Sequence, residues 1–230
     1  LVPEPPAWLA AQAERQRIKR EGGAVAVKKP NTLKLLFADK VARRMFVLWT
    51  LTAGFLQFGY YGVNNWMPSY LERELHMDFK AMTGYMVGTY AAMIFGKVCS
   101  GVIADKLGRR NTFVFGCIGT ALLIPAIVYL NSPANILYLL VFFGFIYGIP
   151  VGVVATYMTE SFETRIRGSA VGGAYNFGRI GAAFAPAIIG LLAAQVSIAA
   201  GMLVMGVAYV ITGLIPALFI RDKIHDPQKA

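Results

Sequence analysis

The chain has 230 residues, of which 57% are hydrophobic and 15% are charged, and its formal net charge is +10. This composition is too apolar for an ordinary soluble domain and predicts a membrane protein. The basic excess does not indicate nucleic-acid binding, because the lysines and arginines flank long apolar segments and no groove-reading module is visible.

The first 44 residues are predicted to stay outside the membrane. They carry ten of the 22 basic residues, and nothing at their start resembles a signal peptide with its short apolar core. Asn31 or Thr32 is predicted to cap a short interfacial helix. That helix would turn four apolar side chains toward lipid, namely Leu33, Leu36, Phe37 and Val41.

Six continuous apolar runs follow, each long enough for a membrane helix, which needs about 20 residues. They are 45–71, 80–104, 112–130, 135–158, 168–194 and 198–220. Basic residues concentrate in the first segment, in loops 105–111 and 159–167 and in the tail, whereas the opposite side holds only Arg73 and Lys80. The positive-inside rule therefore predicts that both termini are cytoplasmic.

Small residues recur within two of these spans. The second span has one at every fourth position, and the fifth span is rich in glycine. Such stripes predict close helix packing. They comprise Gly84, Gly88, Ala92, Gly96 and Ser100 in the second span, and Gly168, Gly172, Gly173, Gly178 and Gly181 in the fifth.

The loop between the second and third spans has the most specific motif, GVIADKLGRR at 101–110. Its Gly101, Asp105, Lys106, Gly108, Arg109 and Arg110 resemble the cytoplasmic loop signature of major facilitator superfamily transporters. The run YMTESFETRIRGSAVGGAYNFGR at 157–179 resembles the family's loop between its tenth and eleventh helices. Residues 3–9, PEPPAWL, loosely resemble the start of its central cytoplasmic loop.

This resemblance covers nearly the whole chain but only the second half of the family fold. It implies an all-α membrane protein with a six-transmembrane-helix bundle of two inverted three-helix repeats. Its parts would be a central-loop segment with amphipathic basic helices at 1–44, a transmembrane domain at 45–220 and a cytoplasmic tail at 221–230. A half alone would expose a polar cavity face to lipid, so we expect an N-terminal six-helix half as its partner.

Arg179 is the strongest candidate for substrate binding. It lies about eleven residues into the fifth span, about 16 Å deep, where an unpaired arginine facing lipid would be costly. A guanidinium there suits a carboxylate substrate, and Tyr175 and Asn176 share its helix face. The alternative is a structural arginine that bonds helix carbonyls or an acid of the other half.

The first span carries a stripe of amides and phenols at 57–65. The resemblance implies that this helix lines the central cavity, so Gln57, Tyr61 and Asn64 are the predicted neutral substrate contacts. Lys97, in the second span, lies about 12 Å before Asp105 and is predicted to snorkel toward the cytoplasm and pair there.

The loops hold a second predicted cluster. In the family such charges close the cytoplasmic side of the transporter, so the resemblance implies gating residues whose pairs rearrange on opening. Asp105 and Glu160 would be surrounded by the arginines. The set is Asp105, Arg109, Arg110, Glu160, Arg165 and Arg167.

No catalytic or metal-ligating constellation competes with transport. His76 and His225 lie outside any predicted cavity, and Cys99 and Cys117 are isolated thiols within apolar spans. We therefore expect no enzyme activity, metal or cofactor.

The runs at 59–72 and 175–186 look most similar to proton-coupled symporters for small organic acids, which implies transport by alternating access in a bacterial inner membrane. Sugar porters are the alternative within the superfamily, and a channel or non-transporting receptor is the alternative outside it. No Asp or Glu lies in the middle of a span, so a proton-carrying acid is expected in the other half.

Overall fold

The computed structural model describes residues 9, 12, 13, 16, 17 and 32–222. Residues 32–222 fold into seven α-helices and contain no strand, which confirms the predicted all-α class. The helices are α1 (Thr32–Ala38), α2 (Lys40–Arg73), α3 (Phe79–Leu107), α4 (Arg109–Tyr129), α5 (Ile136–Glu160), α6 (Arg167–Gln195) and α7 (Ile198–Phe219).

Side-chain caps explain where several helices begin. Asp39 precedes α2 and accepts hydrogen bonds from the backbone N–H groups of Val41 at 3.0 Å and Ala42 at 3.2 Å. Asp78 caps α3 and Ser197 caps α7 in the same way. Because Asp39 caps it, α2 begins five residues before the predicted span.

Five helices, α3 to α7, are long and apolar enough to cross a membrane. The first of the six predicted spans, α2, is not among them, because its amide and phenol stripe lowers its hydropathy. It has 34 residues, about 51 Å of helix, which exceeds the ~30 Å hydrocarbon core. Since α2 packs along α6 and α7, it stays a predicted span whose polar groups are partly covered by its neighbours.

The helices pair in a pattern with internal symmetry. Helix α3 packs along α5 and α6 packs along α2, while α4 contacts α5 and α7, and α7 also contacts α2. If α2, α3 and α4 are exchanged with α5, α6 and α7 respectively, the same set of helix pairs results. The middle helix of each three-helix repeat therefore packs on the first helix of the other repeat, as two inverted repeats predict.

Glycines set the distance between the paired helices. A methyl group at Gly96 of α3 would overlap the Phe145 carbonyl of α5, and one at Gly181 of α6 would overlap the Gly54 carbonyl of α2. A backbone carbonyl cannot rotate away as a side chain can, so the close contacts between these helices require glycine. The predicted stripe of α3 thus packs at Gly96, whereas Gly84 at its start has open space around it.

The exposed surface of α6 divides into two faces. One carries large apolar side chains, namely Phe177, Ile180, Phe184 and Leu191. The other carries small and polar residues three or four apart, at 172, 176, 179, 183 and 187. A methyl group at Gly168 or Gly172 would meet open space, so these two glycines do not pack within the bundle, contrary to prediction. The first face suits lipid, and the second suits a partner helix or a polar cavity.

Large apolar side chains also cover the outside of the other helices. Phe95, Leu122 and Leu218 are each about two-thirds exposed, at 67%, 68% and 68%. Soluble monomers do not expose so much contiguous apolar surface. Together with the five membrane-length helices, this surface identifies an integral, multi-pass membrane protein.

The short helix α1 folds back onto the bundle. The centre of the Phe37 ring lies 5.6 Å from that of Phe46 in α2. Leu36, on the inner side of α1, is fully buried. The prediction that Leu36 faces lipid is therefore wrong, because α1 uses one side to contact α2 and α6. Most of the predicted segment 1–44, and the tail from residue 223, lie outside the described residues.

Candidate functional site

The polar stripe of α2 meets α5 and α6 at mid-helix. Gln57 is buried, and its Nε2 donates to the carbonyl of Tyr175 at 2.9 Å. Asn64 Nδ2 donates to the Tyr147 hydroxyl and to the Tyr60 carbonyl, each at 2.7 Å. Two of the three predicted neutral contacts thus already join helices within this half.

Tyr61 and the side-chain oxygen of Gln57 take no part in the hydrogen bonds described above. Tyr61 is half-buried, and its ring lies nearly perpendicular to that of Tyr60, with the ring centres 5.6 Å apart. Gln57 Oε1 is buried and has no hydrogen-bond partner among the described residues. A buried amide oxygen without a donor is costly, so the Gln57 side chain is only partly satisfied within this half.

Tyr147 of α5 also belongs to this site. Its ring stacks on Tyr60 at 5.3 Å, with 9° between the planes, and on Phe143 at 5.0 Å. Its hydroxyl donates to the Tyr60 carbonyl at 2.8 Å. Tyr147 is fully buried and therefore fixes the first helices of the two repeats against each other.

Two of the three predicted contacts on α6, Asn176 and Arg179, lie on its small and polar face, and Tyr175 lies beside that face. Asn176 Nδ2 donates to the Gly172 carbonyl of its own helix at 2.8 Å, and Tyr175 is 40% exposed. Arg179 is exposed, and within 32–222 no hydrogen bond or ion pair holds its guanidinium. One turn separates it from Tyr175, whose carbonyl binds Gln57. The arginine is therefore available at mid-helix.

Lys97 departs from its predicted orientation. Its Nζ lies 5.9 Å from the centre of the Tyr60 ring, in the middle of α2. Asp105 lies eight residues further along α3, at the predicted cytoplasmic end. The snorkelling prediction is therefore wrong, because the ammonium points into the polar centre of the bundle and contacts an aromatic face.

These groups form an open face and not an enclosed pocket. Asn64 and Tyr147 line a crevice of only about 10 Å³, which cannot hold an organic acid. Within the described ranges, no three His, Cys, Asp or Glu side chains are grouped so that they could hold a metal ion. A second surface is needed to enclose a substrate on this face.

A charge cluster lies at the predicted cytoplasmic end, and we call Asp105, Arg109 and Glu160 the Arg109 cluster. Arg109 Nη1 binds Asp105 Oδ1, and its Nε binds Glu160 Oε1 at 3.3 Å. The Asp105 side chain is 69% exposed, whereas that of Glu160 is 10% exposed. One arginine therefore joins the ends of α3, α4 and α5, and its pair with Glu160 is the more buried.

The other three arginines of the predicted network have different partners. Arg110 Nη2 donates to the Ala217 carbonyl at the end of α7. Arg167 Nε donates to the Phe162 carbonyl at 3.1 Å, and Arg165 is exposed. The prediction that all four arginines surround the two acids is therefore wrong, because the described ion pairs of those acids involve Arg109 alone.

Asp222 joins this end of the bundle and was missed. Its Oδ1 accepts hydrogen bonds from the backbone N–H groups of Arg109 at 3.1 Å and Arg110 at 3.2 Å, so it caps α4. Gly108 has a φ of +89°, and a methyl group there would overlap the Asp222 carboxylate. The only signal in the sequence was an acid directly after the last span, within a basic tail.

Replacing Asp222 tests this remote cap. Asp222→Asn removes a carboxylate from a helix N-terminus, and we expect the free energy of unfolding to fall by about 1 kcal/mol. The measurement is thermal unfolding of the purified full-length protein in detergent. Glu163→Gln, an exposed acid in the neighbouring loop, is the matched control. Equal melting temperatures for the two variants would contradict the cap.

A similar cap lies at the opposite end of the bundle. Glu74, directly after α2, accepts hydrogen bonds from the backbone N–H groups of Ile198 and Ala199, at the start of α7. When the two repeats are exchanged, the position of Glu74 at the end of α2 corresponds to that of Glu160 at the end of α5. Glu160 pairs with the Arg109 side chain at the start of α4. Acids at the ends of α2 and α5 thus fix the last helix of each repeat.

Comparison with known proteins agrees with this architecture. A family model described as Major Facilitator Superfamily matches residues 1–186. The match includes the GVIADKLGRR loop, the polar stripe of α2 and Arg179. It covers more than half of the chain.

Three curated relatives illustrate the range of similarity. The cis,cis-muconate transport protein of Acinetobacter baylyi is 64% identical over 229 residues, which are all of this chain and 54% of the relative. A probable 4-methylmuconolactone transporter of Cupriavidus pinatubonensis is 28% identical over 74% of the chain and 40% of the relative. The proline/betaine transporter of Salmonella typhimurium is 30% identical over 74% and 35%. The chain spans about half or less of each relative.

Proposed function

Because this chain belongs to the major facilitator superfamily, we propose that it forms the substrate-binding and gating half of a secondary transporter for a small organic acid. The observation that carries the proposal is Arg179, an exposed mid-helix cation with no partner among the described residues. A charged side chain at this depth is costly unless it faces a cavity, a substrate or a partner. A carboxylate is the natural ligand of an arginine fork.

The relatives support an acid of the muconate type. Muconate is a six-carbon dicarboxylate with two conjugated double bonds, so it combines charged ends with a flat apolar middle. Arg179 supplies a cation, and Tyr61 supplies a flat ring. These chemistries match the parts of such a molecule.

Alternating access requires that each half moves as a rigid unit. It also requires that the contacts at one end of this half can separate from the other half. The glycine contacts and the Tyr60–Tyr147 stack fix α2, α3, α5 and α6 closely together. The Arg109 cluster lies at one end, and its exposed Asp105 can exchange partners more readily than the buried Glu160. We infer that this cluster contributes to closing the cytoplasmic side.

Proton symport is the proposed coupling. The acids of residues 32–222 lie at helix ends, as with Asp105 and Glu160, and none lies at mid-span. The proton-carrying acid is therefore assigned to the N-terminal half that we propose as the partner. The positive-inside pattern supports both termini of this half in the cytoplasm. The bacterial relatives support a location in a bacterial inner membrane.

Transport by the full-length protein in liposomes tests the proposal. We expect saturable uptake of labelled cis,cis-muconate, faster with an inward proton gradient and slowed by a protonophore. Counterflow of the label against unlabelled acid should follow, because a carrier exposes its site to one side at a time.

Other outcomes separate the alternatives. Uptake of neutral sugars but not of acids would identify a sugar porter. A substrate-independent conductance would identify a channel, and binding without transport would identify a receptor. Acid uptake that ignores the proton gradient would contradict proton symport while leaving acid transport intact.

A further inference from the structure

The surroundings of Lys97 are unusual for a cation inside a membrane helix. The ammonium lies over the Tyr60 ring, and neither ion pair described for residues 32–222 contains it. An aromatic face satisfies a cation only weakly compared with a carboxylate. The lysine is half-buried, so it can still be reached from the open face.

Lys97 and Arg179 lie at matching depths. Lys97 precedes the end of α3 at Leu107 by ten residues, and Arg179 follows the start of α6 at Arg167 by twelve. These counts correspond to about 15 Å and about 18 Å of helix from the same end of the bundle. The two described mid-helix cations are therefore nearly level.

The two cations occupy opposite flanks of one polar face. Helix α3 packs along α5, α6 packs along α2, and the Tyr60–Tyr147 stack joins α2 to α5. Helices α5 and α2 thus separate the two helices that carry the cations, so each cation can bind a different end of one elongated molecule.

Neutral polar groups lie between the cations. Asn64 and the Tyr147 hydroxyl meet on the α3 side, and Gln57 lies on the α6 side. Tyr90, seven residues before Lys97 on the same helix face, lines the crevice beside Asn64. Aromatic faces between two positive ends suit a flat molecule with a negative charge at each end.

We propose that Lys97 and Arg179 each bind one carboxylate of the same substrate, so that the site selects dicarboxylates over monocarboxylates. The proposal rests on the proposed function, because it assigns the charge of the acid that this face would carry. It also gives Lys97 a direct binding role in place of the structural pairing that the sequence indicated.

The test compares two ligands that differ by one charge. Purified full-length protein is titrated by calorimetry with cis,cis-muconate and with its monomethyl ester. We expect the wild type to bind the diacid at least tenfold more tightly than the half-ester. Lys97→Gln should weaken diacid binding at least tenfold and bring the two affinities close together, and Arg179→Gln should do the same. Lys97→Arg should keep most of the preference, because it keeps the charge.

Lys80→Gln is the matched control, since it removes the same charge from the exposed start of α3 and should leave the preference unchanged. Lys97→Met, which keeps an apolar stem, replaces Lys97→Gln if that variant does not elute as a single species. An unchanged preference in the Lys97 variants would overturn the two-cation site. Equal wild-type affinities would also overturn it but would leave acid transport standing. A wild type that binds neither ligand would overturn both.

Discussion

Arg179→Gln is expected to weaken binding of an organic acid by ten- to a hundredfold in the full-length protein. The substitution removes charge-assisted hydrogen bonds worth about 1.5–3 kcal/mol, and each 1.4 kcal/mol corresponds to a factor of ten in affinity. Because Arg179 is exposed and bonds to no described residue, the change should leave the packing of this half intact. Arg179→Lys should rescue binding only in part, since an ammonium cannot reproduce the fork.

The measurement is the Kd of purified protein for a panel of acids and their neutral amides. Arg73→Gln, which removes an exposed arginine at the end of α2, controls for net charge. Equal losses for acids and amides would show that Arg179 is structural. A panel in which only neutral sugars bind would contradict the organic-acid proposal altogether.

Arg109→Gln is expected to reduce uptake more than tenfold and to lower the melting temperature. Removing this arginine leaves the Glu160 side chain, which is 10% exposed, without its described ion-pair partner. Breaking a buried pair in this way costs about 3–5 kcal/mol. Asp105→Asn should cost less, about 1 kcal/mol or below, because the Asp105 side chain is 69% exposed.

The double variant Arg109→Gln/Glu160→Gln separates stability from gating. It removes the buried charge together with its partner, so the melting temperature should recover. Uptake should stay low if the pair serves the conformational cycle. Recovery of both would make the pair purely structural, and normal uptake by Arg109→Gln alone would exclude a gating role. Arg44→Gln, an exposed arginine in α2, is the control, with uptake normalised to the amount of inserted protein.

Local patterns were sufficient to predict the helices. Five of the six predicted spans agree with long apolar helices to within a few residues, because hydropathy, span length and caps such as Asp78 are local properties. The boundary of α2 and its low hydropathy were harder to predict. Asp39 starts the helix earlier, and its polar stripe resembles a soluble helix until α6 and α7 cover part of it.

The contents of the candidate site were predicted less completely. The sequence indicated Arg179, Gln57 and Asn64, since polar groups within apolar spans stand out by composition. It did not show that Tyr147 joins Tyr60, because these residues are 87 positions apart and meet only through the crossing of α2 and α5. Helical spacing identifies a face but not the helix that covers it.

The sequence by itself determined that this chain is a helical membrane protein of the major facilitator superfamily with charged loops at one end. Only the tertiary structure decided which charges meet. Asp222 reaches α4 across more than a hundred residues, and Lys97 turns toward Tyr60 and away from Asp105. The physical reason is that hydropathy and capping act within a few residues. The partner of a polar side chain, in contrast, depends on which helices lie side by side, and here the close glycine contacts set that arrangement.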